Sequence, residues 1–401
     1  MKQLLAYCLS IILCVSFTGC MENYLDLYPE DKITSASFPE NESDIKLLLN
    51  GVYAQLREKE VYNQGLFGFG ITDGATPNAF NWGTDEVFNK LGAGRLSSSD
   101  GGVVTYRWKR CYEIISRANY LLACMDLVDL SEEAKAKYSG ETHFLRGLAY
   151  SVLAETYGGV PIILTDISTE EARSLKRASL EETWQQALDD YEVAITNLGV
   201  DAPEPGRATK GAALGMKMRA YLYQGKYKEV LSCVEQIDAL KKYGLFHSYE
   251  GLFDPANENN KEVLFDIQYI EGENSQGSYI DQYCGTGTGS WTRGSRYVPT
   301  DDLVAAYETI DGSPVDPENP YENRDPRLGF TAVLPGSYFL GYRFPNYLYP
   351  GGAFNHAGNR LKHLSTRKYR IQDESKLPPS GQSYINDIIL RYADVLLSKA
   401  E

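Results

Sequence analysis

Apolar residues recur at helical spacing in several blocks of this chain, and between the blocks the period fails for long stretches. Ile45, Leu48, Leu49, Val52, Tyr53 and Leu56 mark a first amphipathic helix. From Phe67 to Gly102, glycine, serine, asparagine and scattered aromatics replace any period. A loop of that length inside a domain is usually functional. Helical spacing returns with Trp108, Cys111, Tyr112, Ile115 and Leu122, and again with Phe144, Leu145, Leu148, Ala149, Val152 and Leu153. These two runs are expected to face each other across a link near Ser131. Ser179 followed by Glu182 spells a capping box, which opens a run through Leu180, Trp184, Ala187, Leu188, Tyr191, Ile195 and Leu198. In the next pair, Gly215 and Ala220 are small enough for close helix approach, Gly225 makes a turn, and Tyr227, Val230, Leu231, Val234 and Ile237 continue. Stacked helix pairs of this kind follow tetratricopeptide logic.

Beyond residue 245 the character changes. A strand is expected at Val263 to Gln268, glycines, prolines and aromatics fill the chain to about residue 383, and helical spacing resumes from Ile388 to Glu401. The fold class is therefore mainly α, a tetratricopeptide-like helical-pair scaffold carrying long irregular loops and a few short strands. Irregular segments held on a rigid scaffold are where a binding surface is expected.

The N-terminus changes the picture. Lys2 precedes an apolar run from Leu4 to Val15, too short at about 1.5 Å per residue to cross a hydrocarbon core of about 30 Å, so it reads as the core of a signal peptide. Thr18-Gly19-Cys20 resembles a bacterial lipobox, in which the cysteine is acylated and becomes the new N-terminus. Residues 1–19 are then a lipoprotein signal peptide, Cys20 the lipidation site, and residues 20–401 one domain that opens with a polar, irregular tether to about residue 40. Multiple acylation holds a protein stably on a membrane. Cys8 and Cys14 leave with the signal, and Cys111, Cys124, Cys233 and Cys284 show no disulfide framework, so buried free thiols are expected.

Charge narrows the ligand class. The chain holds 54 acidic and 39 basic residues, a formal charge of −15. A surface so acidic repels phosphate backbones and anionic headgroups, which disfavours nucleic acid as a partner. Thirty tyrosines offer flat apolar faces with polar tips, a combination that suits sugars, although in a helical-repeat protein most of them pack.

By motif, the chain resembles the SusD/RagB family over nearly its whole length. The segments that carry the resemblance are Cys20 with Tyr24-Leu25-Asp26-Leu27-Tyr28-Pro29, Leu49-Asn50-Gly51-Val52-Tyr53, and Trp108, Tyr112, Ile115, Arg117, Ala118 and Asn119. They continue through Gly140-Glu141, Phe144-Leu145-Arg146-Gly147-Leu148-Ala149-Tyr150, Tyr157-Gly158-Gly159-Val160-Pro161 and Gly206-Arg207-Ala208-Thr209. Pro299, Asp311-Gly312, Arg324-Asp325-Pro326-Arg327-Leu328 and Arg391-Tyr392-Ala393-Asp394-Val395-Leu396-Leu397 complete the series. The resemblance implies a cell-surface glycan-binding lipoprotein that captures oligo- or polysaccharide for a SusC-like TonB-dependent outer-membrane transporter. It also implies an outer-membrane location, facing outward, with no cofactor. Family members continue past Ala400-Glu401, so the chain is expected to stop inside its last helix. The RagB branch implies a peptide as the alternative ligand, and a ligand-free interaction scaffold is the third reading.

Candidate site residues follow from the tryptophans. Trp108 and Trp184 lie on apolar helical stripes and are expected in the core. Trp82 and Trp291 sit on loops without a period to bury them, and an indole on a glycine-rich loop either covers a core edge or meets a ligand. The C–H face of a pyranose stacks on an aromatic platform while amide, carboxylate and guanidinium groups take its hydroxyls. Phe80, Asp73, Asn81, Tyr283, Arg293 and Arg296 are the candidate neighbours.

Enzyme signatures are missing from the sequence. His143, His247, His356 and His363 form no H-E-x-x-H and no close metal pair, no G-x-S-x-G elbow occurs, and the glycines at 285–289 lack the lysine of a phosphate loop. Asp301, Asp302, Asp316 and Glu318 read as an acidic loop, and Asp325 as a structural turn with Pro326 and Arg327. No calcium-loop spacing appears, so no metal is assigned. The chain is not expected to be an enzyme.

Overall fold

The computed structural model describes residues 38–57, 73–81, 90–97, 99–270, 277–278, 297–339, 342–343, 364–369, 371, 373–376, 378 and 382–401. Helix α1 (Glu42–Ala54) begins where the Asn41 side chain accepts from the Asp44 amide, and α2 spans Val103–Cys124. Helix α3 (Glu132–Tyr157) is capped by Ser131, which accepts from the Ala134 amide at the link expected from sequence. The short α4 (Thr169–Ser174) and the longer α5 (Leu180–Asn197) both open with capping boxes, the second being Ser179 with Glu182. Helix α6 (Lys210–Tyr223) turns at Gly225, whose φ is 67°, into α7 (Tyr227–Ala239). A positive φ strains any residue with a Cβ, so glycine ends the helix there.

Helix α3 is the axis of the scaffold. Its residues from Tyr138 to Ala154 are buried almost without interruption, as a helix enclosed on all sides must be. It packs against α1, α2, α5 and α6. Gly140 and Gly147 set the approach of α5: a Cβ at Gly140 would lie 3.0 Å from Leu198, and one at Gly147 3.1 Å from the Ala187 carbonyl. Trp184 is buried and Trp108 packs half-buried against the same core, as their stripes imply. Tyr150 and Tyr191 are wholly buried, and Cys111, Cys124 and Cys233 are buried free thiols. Cys284 lies outside the described residues.

The motif residues are largely structural. Arg146 donates to Asp190 at 2.7 Å and to Asn119 at 2.8 Å, while His143 shares a 2.7 Å hydrogen bond with the same carboxylate. Burial alone pushes the Asp190 carboxyl upward; hydrogen bonds from His143 and Arg146 outweigh it and hold the group below the usual carboxylate range. A second node joins three further motifs: the Tyr53 hydroxyl donates to Glu141 at 2.8 Å and accepts from the Ala208 amide at 2.9 Å, and Arg207 bridges Glu141 and Asn50. Asp325 accepts from Arg327, the turn read from sequence.

The irregular half is tied to the scaffold by short strands. Strand β1 (Ala79–Asn81) occurs early in the chain, and β2 (Val263–Ile267) lies within the segment expected to be a strand. Next come β3 (Tyr297–Pro299), α8 (Asp301–Ala306), α9 (Arg327–Thr331), β4 (Ala332–Val333), β5 (Tyr338–Phe339), β6 (Tyr342–Arg343) and β7 (Ser365–Thr366). The chain closes with β8 (Asp387–Arg391) and α10 (Tyr392–Ala400). The antiparallel pairs are β1 with β3, β2 with β8, β4 with β7 and β5 with β6.

Two expectations need correction. The helix expected from Ile388 begins only at Tyr392, because Asp387-Ile388-Ile389-Leu390-Arg391 pairs with Val263–Ile267 and its apolar residues meet a sheet partner. Gly215 permits close approach, but the neighbours are Leu390 and Leu264 of that strand pair. A second, smaller core of Leu252, Phe253, Tyr369, Ile371 and Ile385 lies beneath the irregular half. Among the described residues no helix is long and apolar enough to cross a membrane.

Candidate functional site

Pairing of β1 with β3 joins the two irregular regions. Ala79 lies opposite Pro299, Phe80 opposite Val298 and Asn81 opposite Tyr297, and the Thr300 amide donates to the Asn78 carbonyl at 3.1 Å. Thr300 then caps α8 by accepting from the Leu303 amide. Beside this junction lies a cavity of about 180 Å³. Its walls are Asp73, Asn78 and Ala79 from the first irregular region, and Tyr249, Pro299, Leu303, Tyr307, Thr331, Thr366 and Lys368 from separate parts of the second.

Two charged groups face this space. Burial raises the Asp73 carboxyl above the ordinary range, and the Lys368 ammonium partly opposes that rise. Burial depresses Lys368 to about 8, helped by the nearby Arg391, while Asp73 and Asp387 act in the opposite sense. The ammonium rests 4.4 Å from the Phe253 ring centroid and 5.2 Å from that of Tyr369, a cation–π seat. Tyr307 shares a 2.9 Å hydrogen bond with Thr331, so its polar tip is engaged within the wall. Tyr249 packs edge-on against Phe253 at 5.6 Å between centroids.

Of the sequence candidates, Asp73 lines the cavity. Phe80 is 39% exposed and, one residue from the cavity-lining Ala79, does not line it. Asn81 is placed by its backbone pairing at the same junction. Trp82, Tyr283, Trp291, Arg293 and Arg296 lie outside the described residues, as does Cys20. The stretches that contain the loop candidates adjoin the paired segments 79–81 and 297–299. Sequence reading missed Tyr249, Tyr307, Thr331 and Lys368, which come from separate segments without a motif.

Chemically, the cavity combines aromatic wall, hydroxyls, an amide, one carboxylate and one ammonium. That inventory suits an uncharged polyhydroxylated ligand. Among the described residues no group of three His, Cys, Asp or Glu is arranged to hold a metal ion, and Asp73 is the sole carboxylate among the described lining residues.

Comparison with known proteins is consistent along the chain. A family model described as starch-binding and associating with the outer membrane matches residues 23–222, and the SusD family model matches residues 261–401. The chain belongs to the SusD family. A SusD-like protein of Formosa agariphila, P25, is 26% identical over 74% of this chain and 58% of its own length. A SusD-like carbohydrate-binding protein of Bacteroides fragilis superposes with a TM-score of 0.78 at 27% identity, covering 90% of this chain and 73% of that one. A structure solved with a xylogluco-oligosaccharide shares the fold, with a TM-score of 0.67 at 21% identity over 88% of this chain and 70% of that one. The chain spans 58% and 55% of the lengths of the P25 and P2 proteins of Formosa agariphila that it matches. The helical scaffold with few short strands is the SusD-like architecture.

Proposed function

We propose that this chain is a cell-surface glycan-binding lipoprotein. It captures oligo- or polysaccharide at the loop junction and delivers it to a SusC-like TonB-dependent outer-membrane transporter, without itself performing chemistry or using a cofactor. The observation that carries the reading is the cavity between β1, β3 and α8, where Tyr249 and Tyr307 stand beside Asp73, Asn78 and Lys368. An aromatic wall with a few convergent polar groups is how a weak, shallow sugar site is built. The carbohydrate-binding description of the Bacteroides fragilis neighbour supports it, as does the starch-binding, outer-membrane description of the family model. Cys20 supplies the lipid anchor in this reading, and Trp82 and Trp291 are kept as proposed glycan contacts.

Affinity electrophoresis through gels containing starch, xyloglucan, laminarin, xylan or mannan tests the reading. Retardation by at least one polysaccharide is expected. Migration unaffected by every glycan, together with binding to a peptide library, would transfer the function to peptide capture.

A further inference from the structure

Asp73 and Lys368 line one cavity, and the ammonium and carboxylate feel each other's charge. Yet no described residue forms a hydrogen bond with either side-chain charge, and the two do not meet as an ion pair among the described residues. Lys368 is held by the Phe253 and Tyr369 rings, which satisfy its charge in part but accept no ordinary hydrogen bond. Both side chains are half-buried at the cavity wall, and a hydrogen bond that a ligand makes to a partly desolvated charge recovers part of the cost of its burial.

We infer that the cavity seats one uncharged sugar residue whose neighbouring hydroxyls bridge the pair, donating to the Asp73 carboxylate and accepting from the Lys368 ammonium. This inference rests on the glycan reading and specifies its ligand class. A hydroxyl both donates and accepts, so two adjacent ones satisfy a carboxylate and an ammonium at once. A uronate or sulfate would set like charge against Asp73, and an amino sugar would set it against Lys368. The space of about 180 Å³ falls below the range of about 300–1,000 Å³ for clefts that take drug-sized ligands, so it suits one ring rather than a chain of them. Tyr249 and Tyr307 supply the apolar wall for its C–H face.

The charges around Lys368 are Asp73 from the loop wall and Asp387 and Arg391 from β8. Arg391 is itself paired with Glu262 at 2.7 Å. An acceptor hydroxyl stabilises the protonated amine, so the ligand raises the amine's pKa and binds more weakly as pH rises through about 8.

Isothermal titration of the purified protein tests this. The probes are oligosaccharides from starch, xyloglucan and laminarin on one side, and from polygalacturonate and chondroitin sulfate on the other. Binding confined to the neutral set is expected, with Asp73→Asn and Lys368→Met each weakening it about tenfold or more, and with wild-type affinity falling between pH 7 and pH 9. If no probe of either set binds and no polysaccharide retards the protein in gels, the glycan reading itself fails. If anionic oligosaccharides bind as well as neutral ones, or folded variants bind as wild type does, the bridging pair is wrong while glycan capture stands. Should a variant fail to fold, the wild-type pH profile decides, and a flat profile overturns the inference.

Discussion

Truncating Asp190 should unfasten the scaffold at its centre. The carboxylate receives the Arg146 guanidinium through Nε at 3.0 Å and Nη2 at 2.7 Å, and shares a 2.7 Å hydrogen bond with His143. The side chains are 2% and 6% exposed for Asp190 and Arg146, so water cannot replace the lost partner. In Asp190→Ala the guanidinium keeps Asn119 as an acceptor but loses its counter-charge. Breaking one side of a buried ion pair costs about 3–5 kcal/mol, a large fraction of the about 5–15 kcal/mol by which a native protein is stable. Replacing both charges by apolar groups, as in Arg146→Met with Asp190→Leu, removes the desolvated charge and should recover much of the loss. Urea unfolding followed by tryptophan fluorescence reads the difference, since Trp184 lies on α5 with Asp190. A loss below about 1 kcal/mol for Asp190→Ala, or a double variant no better than the single one, would refute the reasoning.

In Gly159→Ala the new methyl would overlap the Ala178 carbonyl, a backbone atom that cannot swing aside, so a loss of about 1–3 kcal/mol in denaturant unfolding is expected, and none would be contrary. Burial raises Glu258 and Asp387 to about 7 and Asp266 to about 6, so the folded state retains protons that the unfolded chain releases near pH 4. Stability should therefore fall as pH rises from about 4 through about 7, and Asp387→Asn should flatten that slope in thermal melts; an unchanged slope would remove Asp387 from the account. Metabolic acyl labelling should mark the wild type and not Cys20→Ala, and equal label in both would remove the anchor.

The scaffold was legible because its signals are local. Capping boxes, apolar stripes and the Gly225 turn each act within a few residues, and α5, α6 and α7 follow them closely. Residues 388–391 misled because an apolar run of that length fits either a helix or a buried strand until its partner, β2, is known. The site was legible only on one wall. Asp73 was named only as a candidate neighbour of the loop tryptophans, and strands of three residues carry no alternation to reveal that 79–81 pairs with 297–299. Lys368 was invisible for a related reason: its depressed ionisation arises from burial and from Arg391, and both come to it only through folding.

A crystal structure of the protein with a bound oligosaccharide, chosen from whichever polysaccharide retards it, tests the glycan site most directly. The account predicts a sugar ring in the cavity between Asp73, Tyr249, Tyr307 and Lys368, beside the β1–β3 junction. A sugar seated elsewhere on the molecule, with that cavity holding only water, would contradict it.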